Sequence, residues 1–221
     1  MIRRAAGEVL ATAFLVAAVV GSGIMAERLS GGNVALALLA NAIATGGALV
    51  ALILAFGPIS GAQMNPAVTL ALAAGRDFKW NAVPAYLAAQ LGGGVLGAWA
   101  AHAMFDLPIL QLGTHARGGP AQWFAEFVAS FGLIFVVRAC AARRDGSTAY
   151  AVAAYITGAY WFTASTSFAN PAVTLARALS DTFAGIHPAD VPAFVAAQIL
   201  GALAATLAFG WLSPSAGRDR A

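Results

Sequence analysis

Asn65-Pro66-Ala67-Val68-Thr69-Leu70-Ala71 recurs unchanged as Asn170-Pro171-Ala172-Val173-Thr174-Leu175-Ala176, 105 residues further along a chain of 221. Chance does not repeat seven residues in so short a chain, so it reads as two related halves. Asn is a strong helix N-cap and Pro is favoured at the first helical position, so each copy starts a helix directly after an irregular stretch. Hydrophobic residues make up 60% of the chain and charged residues only 10%, with a mean hydropathy of +0.78. Two helix starts in so apolar a chain point to broken helices lining a pore or transport site at membrane depth.

The apolar runs predict six long helices, at about 5–26, 34–56, 81–104, 121–141, 148–164 and 190–212. Two shorter segments, about 65–75 and 170–180, begin at the repeated motifs. Ten helical residues span roughly 15 Å, half of a hydrocarbon core of roughly 30 Å. Neither short segment crosses alone, but two entering from opposite sides meet at the middle. The expected fold is therefore an all-α membrane protein with six transmembrane helices plus two half-helices in two inverted repeats. It forms a single domain over 1–221, with repeats of about 1–105 and 118–213 and a short polar tail at 214–221. The first apolar run follows Arg3 and Arg4 as a signal peptide would. Its likeness to the run around Glu126 makes it a retained helix.

Charge placement sets the orientation. With the N-terminus inside, Arg3, Arg4, Arg76, Lys79, Arg138, Arg143, Arg144, Arg218 and Arg220 are cytoplasmic, leaving Arg28, Arg117 and Arg177 outside. That bias obeys the positive-inside rule with both termini cytoplasmic; the reverse violates it. The basic residues are too dispersed for nucleic acid, despite a pI near 9.5. The single Cys140 excludes an internal disulfide and a multi-Cys metal site. His102, His115 and His187 are scattered, with no nucleophile–base or metal spacing, so no enzyme, cofactor or metal is indicated. His102 is expected near a helix end, in ordinary interfacial placement. The 24 Gly suit close helix packing in lipid.

The repeat extends further. Val83-Pro84-Ala85-Tyr86-Leu87-Ala88-Ala89-Gln90 matches Val191-Pro192-Ala193-Phe194-Val195-Ala196-Ala197-Gln198, and Gly7-Glu8-Val9 parallels Ala125-Glu126-Phe127. A carboxylate within a membrane helix is expensive and needs a reason. Glu8 and Glu126 either couple protons or pin the irregular stretches by accepting backbone N–H groups. One Glu per half favours pinning.

On Ser60-Gly61-Ala62-Gln63-Met64-Asn65-Pro66-Ala67-Val68, Asn170-Pro171-Ala172 and the Glu8/Glu126 pair, nearly the whole chain resembles the major intrinsic protein family, the aquaporins and aquaglyceroporins. The resemblance implies a right-handed helical bundle with one pore per subunit, usually a homotetramer in the cell membrane. The half-helix N-termini, each bearing roughly half a positive charge, then face the lumen and disfavour cations. Asn65 and Asn170 offer donors to a passing solute, and the carbonyls of Gly61–Met64 and Thr166–Ala169 offer acceptors. The alternative for the two Asn is capping alone.

Most family members carry Arg three residues after the second Asn; this chain has Val173. By spacing, the resemblance maps the other constriction positions to Thr45, Ser167 and Gly158, with Thr157 or Ala159 open because loop lengths vary there. That ring is small, neutral and free of the aromatic, His and Arg of water-selective members. It implies a filter wide enough for uncharged solutes larger than water. Arg177, one turn beyond Val173, either guards an outer vestibule, reaches the interface or pairs with Asp181. The Val173 form resembles a bacterial subgroup linked to arsenite. The expected function is passive conduction of metalloid hydroxides such as arsenite, glycerol-like polyols and water. The alternatives are a water-selective channel and, in a different class, a proton-coupled transporter.

Overall fold

The computed structural model describes residues 1–143 and 145–213. Arg144, Arg218, Arg220 and the tail 214–221 lie outside the described residues. Eight α-helices follow in order: α1 (Ile2–Leu29), α2 (Val34–Ser60), α3 (Pro66–Ala74), α4 (Val83–Met104), α5 (Pro120–Arg143), α6 (Thr148–Phe162), α7 (Pro171–Ala178) and α8 (Val191–Leu212). The six long helices and two short ones stand where the apolar runs and the repeated motif placed them. α1, α2, α5 and α8 are long and apolar enough to cross a membrane on length and composition alone. In α4 the glycines and the polar Gln90 and His102 dilute the apolar run. α6 has 15 residues, roughly 22 Å of helix.

Local chemistry sets the boundaries. Asn33 caps α2, its Oδ1 accepting from Leu36 N at 3.0 Å. α2 runs past the expected residue 56, carries Pro58 in its last turn and stops at Gly61, whose φ of 92° is left-handed. The half-helices α3 and α7 have nine and eight residues, each capped by its Asn with Pro first. α7 ends at Ala178, short of the expected residue 180.

Packing follows the duplication. α1 lies against α4, and α5 against α8. α2 of the first half packs on α6 of the second, and each half-helix also contacts the last helix of the other half. The interior is mostly apolar and rich in Ala and Val, with Glu8, Gln90, Glu126 and Gln198 buried within it. Large apolar side chains such as Leu10, Phe14, Ile43, Leu200 and Leu207 point outward, as lipid-facing residues do. Trp80, Trp123, Trp161 and Trp211 are exposed near helix ends, the position of an interfacial belt.

Glycines make the closest helix crossings possible, and two of them form a matched pair. A Cβ on Gly93 would overlap the Val9 carbonyl, and one on Gly201 the Phe127 carbonyl. These positions are equivalent in the two halves, each three residues after the paired Gln and opposite the residue after the paired Glu. Backbone cannot yield as a flexible side chain does. Gly93→Val is therefore expected to cost at least ~1–3 kcal/mol. Gly92, next along α4 with nothing within 4 Å of its Cβ position, is the control. Its valine variant should stay within about 0.5 kcal/mol of wild type. Thermal unfolding in detergent, side by side, reads the difference.

Candidate functional site

The N-termini of α3 and α7 meet in the interior. Asn65 Oδ1 accepts from Ala67 N at 2.9 Å, and its Nδ2 donates across to Ala169 O at 2.7 Å. Asn170 mirrors this: Oδ1 accepts from Ala172 N (2.9 Å) and Val173 N (3.3 Å), while Nδ2 donates to Met64 O at 2.8 Å. A carbonyl only accepts, so the facing amide atom must be nitrogen in both cases. Each Asn is thus a cap at its oxygen and a tie between halves at its nitrogen. Each NH₂ carries two donors and spends one on the tie. Of the carbonyls expected to face a solute, those of Met64 and Ala169 already receive these amides.

The stretches before each motif repeat an unusual backbone. Ala62 (φ 46°) and Met64 (φ 49°) are left-handed, as are their counterparts Ser167 (φ 51°) and Ala169 (φ 46°). Non-glycine residues hold such angles only when their surroundings over-determine them. Here the surroundings are carboxylates. Glu8 accepts from Ser60 Oγ (2.7 Å), Gln63 N (3.0 Å), Met64 N (2.7 Å) and Gln90 Nε2 (2.8 Å). Glu126 accepts from Phe168 N (2.8 Å), Ala169 N (2.8 Å) and Gln198 Nε2 (2.6 Å). Both are fully buried. The two Gln side chains then bridge to the half-helices, Gln90 to Thr69 Oγ1 and Gln198 to Thr174 Oγ1. Sequence reasoning gave Gln90 and Gln198 no role. The available signal was their position at the end of the matched octapeptides.

Beside the Asn pair lies a cavity of about 130 Å³, against the roughly 10–15 Å³ that one water needs. Leu15, Val19, Leu49, Leu133, Val152 and Ile156 make an apolar wall. Gly61–Asn65 and Ser167–Asn170 line it as a polar stripe. The whole arrangement suits a solute that sheds water against amides and carbonyls while sliding past an inert face.

Thr45, Ser167 and Val173 line this cavity; Gly158 does not. α6 turns Val152, Ile156 and Tyr160 inward at four-residue spacing, and Gly158 lies on the exposed outer face with nothing within 4 Å of its Cβ position. Two residues are about 200° of helix, so a connection between α6 and α7 that is two residues shorter than assumed moves the inward position to Tyr160. Neither Thr157 nor Ala159 lines the cavity; Thr157 Oγ1 bonds Ala153 O on its own helix. The Tyr160 hydroxyl stands 3.2 Å from Thr45 Oγ1. The ring is therefore not free of aromatics.

The cavity also holds a cation. Arg177 is only 3% exposed and lines it. Its guanidinium carbon lies 3.3 Å over the centre of the Phe168 ring, and its Nε donates to Ala184 O. The neutral positions Thr45, Ser167 and Val173 stay neutral; the cation comes from one turn beyond Val173, where the side chain is long enough to reach the lumen. It does not pair with Asp181, which falls past the end of α7 and instead accepts from Thr114 N and Oγ1. Arg117 from the link between halves also sits over Phe168, at 5.1 Å, with its Nε donating to Gly185 O at 2.9 Å. Phe168 and Arg117 had no sequence signal beyond proximity and charge.

His115 and His187, distant in sequence, lie side by side, His187 N donating to His115 O at 2.8 Å. His102 is fully buried, its Nδ1 facing Ile109 O (3.0 Å) and its Nε2 facing Ser180 Oγ (2.9 Å). Among the described residues no three His, Cys, Asp or Glu side chains gather as a metal site requires.

Comparison with known proteins agrees with this geometry. Residues 1–159 and, again, 114–219 match the family model described as Major intrinsic protein. The chain is 51% identical over 210 residues to aquaglyceroporin AqpS of Rhizobium meliloti (strain 1021), covering 95% of this chain and 90% of that one. It is 34% identical over 221 residues to aquaporin NIP2-3 of Zea mays, covering 95% and 68%. The X-ray structure of the aquaglyceroporin from Plasmodium falciparum superposes with a TM-score of 0.73 over 100% of this chain and 99% of that chain. At 18% identity, that likeness speaks for the fold.

Proposed function

The chain belongs to the major intrinsic protein family, and from that premise we propose that it passively conducts small uncharged solutes across the cell membrane. The solutes are metalloid hydroxides such as arsenite, in its neutral trihydroxy form, glycerol-like polyols, and water. The observation that carries this reading is the cross-tied pair Asn65 and Asn170, whose remaining N–H donors sit beside a cavity with one polar and one apolar side. The family is one of channels, not enzymes. The protein is a multi-pass membrane protein; cytoplasmic termini follow from the charge bias, and a homotetramer from the family's habit.

Within this reading Thr45, Tyr160, Ser167 and Val173 form the constriction, Arg177 stands at its outer vestibule, and Glu8 and Glu126 pin the loops. A proton-coupled alternative finds no support in Glu8, whose carboxylate faces four donors and has roughly four acceptor sites. The metalloid choice is favoured by Val173 and the polyol choice by the likeness to an aquaglyceroporin, and uptake into proteoliposomes tests both. Arsenite and glycerol should both enter; ready glycerol flux with none for arsenite would reject the metalloid choice.

Tyr160 offers a second check. Tyr160→Ala removes the bulkiest member of the ring. It should raise glycerol flux by ~3-fold or more relative to water, less than 1 kcal/mol of barrier. Tyr160→Phe loses only the hydroxyl contact with Thr45 and should change the ratio little. Stopped-flow light scattering on both variants reads these ratios.

A further inference from the structure

Arg177 is buried, lines the cavity and has a guanidinium with more donors than partners. Its Nε is committed to Ala184 O, and among the described residues its Nη groups have no acceptor. Arg117 brings a second guanidinium to the same Phe168 ring. Three carboxylates on this side are engaged elsewhere. Asp181 receives Thr114, Asp190 receives the Arg117 backbone N–H, and Glu126 receives the loop N–H groups and Gln198. Among the described residues, the ion pairs are Arg138 with Asp77 and Arg143 with Asp145, neither at this mouth. Buried cations are ordinarily paired, and a membrane-depth charge without a partner marks a site.

We propose that the outer end of the cavity binds a small monovalent oxyanion on Arg177, with the nearby Arg117 reinforcing the positive charge, and that a seated anion obstructs neutral solutes. The planar guanidinium fork matches two oxygens of such an anion side by side. The N-terminal ends of α3 and α7 add positive potential from below. The same field is felt by His115 in the outer link, whose pKa is lowered by burial first and then by Arg117 and Arg177, against a smaller opposing pull from Glu27. The anion stops there because further travel would leave the guanidinium for a passage walled by Leu15, Leu49 and Leu133. Obstruction rests on the channel reading above; binding does not.

Methanesulfonate, ionised at any working pH, is the probe. In proteoliposomes at pH 7, external chloride is exchanged isosmotically for methanesulfonate while glycerol flux is followed. Purified protein in detergent is unfolded thermally in the same two salts. Wild-type flux should fall about threefold at a concentration of about twice the Kd, where two-thirds of the mouths are filled, and Tm should rise with anion concentration. Arg177→Gln should show neither effect. Arg177→Lys should keep a weaker one, since an ammonium is a point charge, and Arg117→Gln should shift the response to higher concentration. If Arg177→Gln fails to fold, the Lys and Arg117 variants carry the comparison. Equal flux and equal Tm in both salts for wild type overturn the proposal, as does an undiminished effect in the Arg177 variants. Stabilisation without slower flux also overturns it, since the path would then stay open. Absent glycerol flux in chloride counts against the channel reading instead, and the thermal measurement still reads the site.

Discussion

Glu126→Ala should leave little folded protein in detergent. The carboxylate is fully buried and receives Phe168 N, Ala169 N and Gln198 Nε2. Hydrogen bonds to a charged acceptor contribute roughly 1.5–3 kcal/mol each, and stranded buried donors add their own desolvation cost. The total loss is on the order of 5 kcal/mol or more, against whole-domain stabilities of about 5–15 kcal/mol. The damage falls on the loop that carries Ser167 and Ala169 in left-handed conformations, so α7 loses its entry geometry even where the bundle survives. Size-exclusion after graded heating gives the measurement. Glu8→Ala should behave alike, since its carboxylate holds the equivalent loop through Gln63 and Met64. Glu8→Gln separates pinning from proton coupling. Pinning expects less folded protein with pH-independent flux in what remains. Normal protein level with flux lost only under a pH gradient would favour coupling.

Val173→Arg should narrow the channel selectively. Val173 lines the cavity on the first turn of α7, and Arg177 already reaches the same space from the next turn. A second guanidinium there fills volume and meets a like charge in a poorly hydrated passage. Glycerol flux is expected to fall at least ~10-fold, about 1.4 kcal/mol of added barrier. Water, which needs less room, should fall by a smaller factor. Proton current should change little, because wild type already has Arg177 and two half-helix N-termini facing the lumen. A wild-type proton current far above that of the Arg variant would mean that these charges do not form the barrier.

The parts of this architecture that were legible in the sequence are those written locally and twice. An Asn cap with Pro behind it announces a helix start wherever it occurs, so α3 and α7 could be placed before any packing was known. The paired carboxylates were legible for the same reason: each half had one charge to explain and one irregular loop to hold. What escaped depended on lengths and reach. Whether Gly158 or Tyr160 faces inward turns on two residues in the connection before α7, where no periodicity guides the reading. Arg177 shares its face of α7 with Val173, but the alternative of a pair with Asp181 assumed a helix that continues past Ala178. Its true supports, Phe168 and the Ala184 carbonyl, come from segments with no repeat and no pattern. Arg117 counted only as a charge for topology until the fold laid the link between halves over Phe168.

The most direct test of a passive conduit centred on Asn65 and Asn170 is a solute panel on the purified wild-type protein in proteoliposomes, at zero pH gradient. Glycerol, arsenite and water should each equilibrate down its own gradient, at rates unaltered by an imposed proton gradient and without accompanying current. Uptake that requires the proton gradient, or water flux alone with glycerol and arsenite excluded, would contradict it.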